Sequence, residues 1–198
     1  MTLPKTLLVL SEQFKKFPGV GDKTAIKFAL FLIKQPPTFS GELIQAITEA
    51  KKTTLCTVCF NYACSTKCEL CENVKRDDTV LCVVSEPRDL EVIEDTHEYK
   101  GRYHVLHGLI SPMTGISPKD IKITELLSRL QSDNNVKEII LALDATVEGE
   151  ATSLYITKFL KSAGFKVSRI AFGISAGVSL ETVDPISMAQ AIIGRKEL

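Results

Sequence analysis

Cys56-Thr-Val-Cys59-Phe-Asn-Tyr-Ala-Cys64-Ser-Thr-Lys-Cys68-Glu-Leu-Cys71 holds five of the chain's six cysteines. Within it, Cys56/Cys59 and Cys68/Cys71 form two C-x-x-C pairs that enclose the eight residues Phe60 to Lys67. A C-x-x-C turn aims two sulfurs at one point, and two such turns complete the tetrahedral sulfur set that zinc takes in closed structural sites. So short an enclosed span predicts a compact knuckle rather than a long ribbon. A disulfide framework does not suit a chain of 198 residues whose start, Met1-Thr-Leu-Pro-Lys5, lacks a secretory signal pattern. A thioredoxin-type redox pair uses one C-x-x-C and leaves the second unexplained. An iron–sulfur cluster also takes four thiolates, and spacing does not separate it from zinc. The expected cofactor is one structural Zn2+ per chain on Cys56, Cys59, Cys68 and Cys71, with Cys64 either replacing one ligand or free. Cys82, in the apolar run 79–84, reads as a buried thiol.

N-terminal to the cysteines, residues 6 to 34 read as helix, turn, helix. Leu7, Leu8, Leu10, Phe14 and Phe17 form one apolar stripe, and Ala25, Phe28, Ala29, Phe31 and Leu32 form another. The turn between them is Phe17-Pro18-Gly19-Val20-Gly21-Asp22-Lys23-Thr24-Ala25. Gly19 and Gly21 let the backbone turn sharply while Val20 fills the space between the helices. The second helix then starts with free amides, where its macrodipole also favours an anion, and Lys23 and Lys27 share a face beside that opening. This resembles a helix-hairpin-helix motif, which grips DNA phosphates without reading bases. Lys15 and Lys16 add charge before the turn. Pro36-Pro37 ends the second helix, and Ser40 is expected to cap a third that runs to about Lys52, with Leu43, Ile44, Ile47 and Ala50 buried.

Lys plus Arg and Asp plus Glu number 24 each, so net charge is zero and the chain is not a globally basic nucleic-acid binder. A hydrophobic content of 44% suffices for a core, and no apolar run reaches membrane-spanning length. Clustered, reduced-type cysteines without a signal place the protein in the cytoplasm.

C-terminal to the cysteines the pattern alternates between strand and helix. Strands are expected at 79–84, 103–106, 138–143 and 166–172, with helices at 89–95, 119–131 and 149–163. Repeated β-α-β units predict a mostly parallel sheet covered by helices, with sites at the carboxyl ends of its strands. Val83-Val84-Ser85-Glu86-Pro87-Arg88-Asp89 and Leu143-Asp144-Ala145-Thr146-Val147-Glu148-Gly149-Glu150 fall at such ends. Together they resemble the Toprim domain of topoisomerases, primases and some nucleases. Catalytic members hold magnesium with a glutamate after one strand and Asp-x-Asp after another. Here Glu86 falls one residue late, behind Ser85, and Thr146 replaces the second aspartate of Asp144-x-Asp. Glu148 and Glu150 are expected to start a helix instead. Packing roles are expected for His104 and His107, and exposure for His97. Asp184 should cap a last helix that opens at Pro185.

The order helix-hairpin-helix, four cysteines, Toprim and short C-terminal segment resembles the bacterial RecR recombination-mediator family over essentially the whole chain. Pro18 to Ala25, the paired C-x-x-C, Gly101-Arg-Tyr-His-Val-Leu-His-Gly108 with Ser111-Pro112, Glu148-Gly-Glu-Ala-Thr152 and Gly194-Arg195 carry it. The segment 174–184 departs, with Ser175 where the family has proline and Thr182 where it has tyrosine, so its Walker-B-like stretch is weakly matched. No Gly-x-x-x-x-Gly-Lys-Ser/Thr loop is present, and no ATPase activity is expected. The implied fold class is α/β: a helix-hairpin-helix region (1–54), a four-cysteine zinc knuckle (55–76), a Rossmann-like Toprim domain with a mostly parallel sheet (77–173) and a C-terminal segment with a helix (174–198).

The resemblance implies a non-enzymatic, nucleoid-associated DNA-repair protein. It would form a homo-oligomeric, tetrameric ring that clamps double-stranded and gapped DNA without sequence preference. With RecO, and in many bacteria RecF, such proteins load RecA on gapped DNA coated by single-strand-binding protein. Gly19, Gly21, Lys23 and Lys27 would contact DNA, and the acidic face of Glu86, Asp144 and Glu148 would recruit RecO. The alternative is a Mg-dependent Toprim nuclease or primase-like enzyme that uses those carboxylates.

Overall fold

A computed structural model describes residues 3–195. Residues 1–2 and 196–198, the outer ends of the first and last expected segments, lie outside the described residues. The chain forms two compact units divided between Thr53 and Thr54.

The first unit contains α1 (Lys5–Phe14), α2 (Asp22–Lys34) and α3 (Pro37–Ala50). Ala25 and Ala29, one turn apart on α2, are almost fully buried, and their small side chains let α1 come close. Phe14 meets Phe28 edge-on at 5.7 Å between ring centroids, and Phe31 meets Phe39 at 5.9 Å. Two expectations fail here. Ser40 lies within α3, which begins at Pro37 with Pro36 as its cap, because the fixed proline φ suits the first helical position. The apolar residues also remain largely open: Leu8, Phe17, Phe28 and Phe31 are 43–56% exposed, and Ile44 and Ile47 of α3 are 65% and 54% exposed. Three short helices bury one seam and lack the surface to cover the rest.

The second unit starts with a two-stranded antiparallel ribbon, β1 (Thr54–Leu55) and β2 (Tyr62–Ala63), and a short helix α4 (Glu69–Glu72), which together build the cysteine knuckle. There follow β3 (Asp77–Val84), α5 (Pro87–Asp95), β4 (Gly101–Val105), α6 (Ile123–Ser132), β5 (Glu138–Ala142), α7 (Val147–Ser162) and β6 (Lys166–Arg169). A single 3-10 turn (Leu180–Thr182) precedes α8 (Pro185–Ile193). The four longer strands form an all-parallel sheet in the order β4-β3-β5-β6.

Strand β3 explains the layering. Leu81 and Val83 point into one core with Leu126 and Leu130 of α6 and Ile156 and Leu160 of α7. Cys82 and Val84 point the other way, to Leu90 of α5, Tyr103 and Val105. Side chains alternate along a strand, so an unbroken apolar run requires cover on both faces. Burial pushes the Cys82 thiol up to about 12, as befits an inert core residue.

Helix α6 starts at Ile123 rather than 119, since Asp120 accepts from both the N–H and O–H of Ser117 and holds a turn before it. Strand β6 ends at Arg169, short of 172. Asp184 caps α8 as expected, accepting from the amides of Ile186 and Ser187. Among the described residues, no helix is long and apolar enough to cross a membrane.

Candidate metal centre and nucleic-acid interface

The sulfur atoms of Cys56, Cys59, Cys68 and Cys71 all lie within 4.8 Å of one another, and Cys59 Sγ is 3.4 Å from Cys68 Sγ. A Zn–S bond of about 2.3 Å gives tetrahedral S···S edges of about 3.8 Å, so the four thiols fit one tetrahedral ion. Three of them are buried and Cys71 is half-buried, as a closed structural site requires. The amide of Asn61 donates to Cys59 Sγ at 3.4 Å, the kind of contact that steadies a thiolate. Hydrogen bonding from Cys59 holds the Cys71 thiol down to about 6, while burial pushes Cys68 up to about 11. Metal capture by this set therefore displaces protons. Cys64 is exposed and stands outside the cluster.

The knuckle's backbone carbonyls are taken by groups from the sheet and from α6. Val105 N–H donates to Cys59 O at 2.8 Å, and Arg102 Nη1 donates to Leu70 O at 2.9 Å and Cys71 O at 3.2 Å. Arg129 Nη1 joins Val58 O (3.3 Å) to Tyr103 O (2.7 Å), and His107 Nε2 lies 2.6 Å from Phe60 O. A carbonyl only accepts, so His107 carries its proton on Nε2. These partners lie 31 to 71 residues from the groups they hold in the knuckle, and no local pattern marks them. The expectation that His104 and His107 pack is met. Strand β4 stops at Val105, so His107 sits past its end, at φ 56°. His97 is exposed.

At the hairpin, Gly19 has φ +76°, a left-handed conformation that glycine adopts without strain. Gly21 caps α2, and among the described residues no side chain takes the amides of the helix's first turn. Lys23 and Lys27 are exposed beside them. Lys15 is 2.7 Å from Asp22 and 3.2 Å from Glu12, so its charge is spent on neighbours at the turn. Those contacts raise the Lys15 ammonium and lower the Asp22 carboxyl.

The Toprim-like carboxylates do not converge. Among the described residues the four cysteines are the one group of three or more side chains placed to share an ion. Glu86 is exposed at the cap of α5, its amide donating to Asp89 at 2.8 Å, and buried Ser85 donates to the same carboxylate at 2.7 Å. Asp144 is exposed. Thr146, where a second aspartate would stand, caps α7 by accepting from Gly149 N–H at 3.1 Å. Glu148 and Glu150 occupy the first turn of α7 as expected, and Glu150 pairs with Arg169 at 2.7 Å. A cleft of about 590 Å³ at this end of the sheet is lined by Thr146, Val147, Arg169, Phe172 and Ile186.

A family model described as "RecR, helix-hairpin-helix" matches residues 8–51, and one described as "Toprim domain" matches residues 79–171. The four-cysteine cluster lies between the two matched segments. The chain thus carries a RecR helix-hairpin-helix and a Toprim domain. Its hairpin and Toprim domain are those of a DNA-binding protein of recombinational repair. The sheet carries the Toprim outline, while the capping Thr146 stands where a second aspartate is expected and Ser85 stands where the glutamate is expected, with Glu86 one residue on as the cap of α5.

Proposed function

We propose that this chain is a non-enzymatic recombination mediator that clamps double-stranded and gapped DNA and acts with RecO and, in cells that have it, RecF, to load RecA. The observation that carries the reading is the hairpin: an α2 N-terminus whose Gly21 cap brings no side chain to its amides, a left-handed Gly19, and Lys23 and Lys27 exposed on one face. Amides and lysines preset on a turn bind phosphates in any sequence. In this division of labour residues 1–54 hold DNA, 55–76 hold one Zn2+, and 77–173 carry the partner face of Glu86, Asp144 and Glu148. Residues 174–198 supply the C-terminal segment. Zinc is favoured for the cluster by four thiolates in tetrahedral reach.

Self-association into a tetrameric ring is supported by apolar residues left open in each unit. Phe17, Phe31, Ile44 and Ile47 are exposed in the first, and Ile186, Ile192 and Ile193 on α8 in the second. Work in the cytoplasm at the nucleoid follows from this role.

The deciding experiment incubates pure protein and magnesium with an end-labelled gapped duplex across a salt series, reading native mobility and then strand length. A salt-sensitive shift with intact strands is the expected result. The competing reading, a Mg-dependent Toprim nuclease or primase-like enzyme using Glu86, Asp144 and Glu148, predicts shortened or extended strands, lost in Asp144→Ala.

A further inference from the structure

We propose that Arg102, Arg129 and His107 form an outer shell of the four-cysteine site that couples metal binding to the edge of the Toprim sheet. The inference rests on the reading of the cluster as a metal site. Three successive carbonyls around one ligand, those of Val58, Cys59 and Phe60, are each taken by a donor from outside the knuckle: Arg129, the Val105 amide and His107. Phe60 holds a left-handed φ of 64°, which turns its carbonyl out of the local ribbon. At the other C-x-x-C, Arg102 holds the carbonyls of Leu70 and Cys71. Groups that fix a ligand's backbone and offset its charge govern how tightly a metal is kept. A divalent ion in four thiolates carries net negative charge, and both arginines bring guanidinium groups against its backbone.

The same contacts cover an exposed edge. Strand β4 is the last strand on its side of the sheet. Its outward N–H at Val105 and outward carbonyl at Tyr103 find the knuckle and Arg129 in place of another strand. Unpaired edge groups invite pairing with foreign strands. The metal orders the knuckle, the knuckle covers β4, and Arg129, bonded to both, links the two. Loss of the ion therefore uncovers β4, and loss of the shell loosens the ion.

The test uses the full chain in two arms. First, Arg129→Met, Arg102→Met and Arg129→Lys are compared with wild type in competition for zinc against a chromophoric chelator. Each Met variant should give up zinc about 10- to 100-fold more readily, and the Lys variant, which keeps the charge but not the fork, should fall between. Second, amide exchange at Val105 is followed in wild type before and after chelator treatment, and should speed up at least about tenfold while Leu81 in the central strand stays protected. Met variants with native near-UV signals and zinc competition within about twofold of wild type would overturn the proposal. So would a Val105 amide indifferent to metal removal, a result that needs no variant to fold. A chain that retains no metal after zinc reconstitution would instead bring down the metal-site reading itself.

Discussion

Gly149 sits where the first turn of α7 passes against the Asp144 carbonyl, and a Cβ built there overlaps that oxygen. Backbone has no rotamer to escape into, so Gly149→Ala should lower stability by about 1–3 kcal/mol in a denaturant titration. His104 presents a different constraint. It is fully buried, its Nε2 donates to Lys122 O at 2.8 Å, and its Nδ1 has no partner among the described residues. Burial holds its pKa down to about 4 from the usual 6.5, outweighing the carbonyl bond, which favours the charged ring. Between those two values the unfolded chain binds the proton and the folded chain does not, so stability falls as pH drops through the window. From about pH 7 to about pH 5, wild type should lose about 2 kcal/mol more than His104→Gln. Equal losses in equilibrium unfolding would place the acid sensitivity elsewhere.

The knuckle is the element whose stability depends most on one event. Its ribbon has two residues per strand and its helix four, too little to order itself without a metal, disulfide or neighbour. Cys59→Ser should bind no stoichiometric metal and lose on the order of 3 kcal/mol in stability, since a closed site contributes folding energy directly. Metal analysis with thermal unfolding checks it, and an unchanged melting temperature in a metal-free variant would contradict it. The hairpin is an element of another kind, preset by Gly19 and by the Gly21 cap. Its geometry was readable from Pro18 to Ala25, because turn glycines and a glycine-capped helix start are local properties. The pairing of Lys15 with Asp22 was not, since either could have met solvent or another partner.

Across the whole molecule a net charge of zero means that DNA affinity must come from local placement of charge. Lys23→Ala with Lys27→Ala should weaken binding to a gapped duplex about tenfold at moderate salt and flatten the salt dependence by about one to two counterions. Fluorescence anisotropy across a salt series reads both, and parallel curves for wild type and variant would remove these lysines from the interface. Helices α3 and α8 each leave isoleucines exposed, Ile44 and Ile47 on the first and Ile186, Ile192 and Ile193 on the second. Ile44→Lys with Ile47→Lys should shift sedimentation toward smaller species while leaving metal content intact.

Short-range pattern already determined the pairing of the two C-x-x-C turns, the hairpin, the β-α-β alternation, the Asp184 cap and the helical role of Glu148 and Glu150. Each depends on backbone geometry within one or two turns of chain. Only the tertiary structure decided that α3 leaves Ile44 and Ile47 open, that Thr146 caps α7, and that the knuckle is fastened to β4. Arg129 reaches Val58 across 71 residues of sequence, and His107 reaches Phe60 across 47. Such bonds depend on which strand edge the folded sheet brings beside which loop, and residues that far apart leave no periodicity to read.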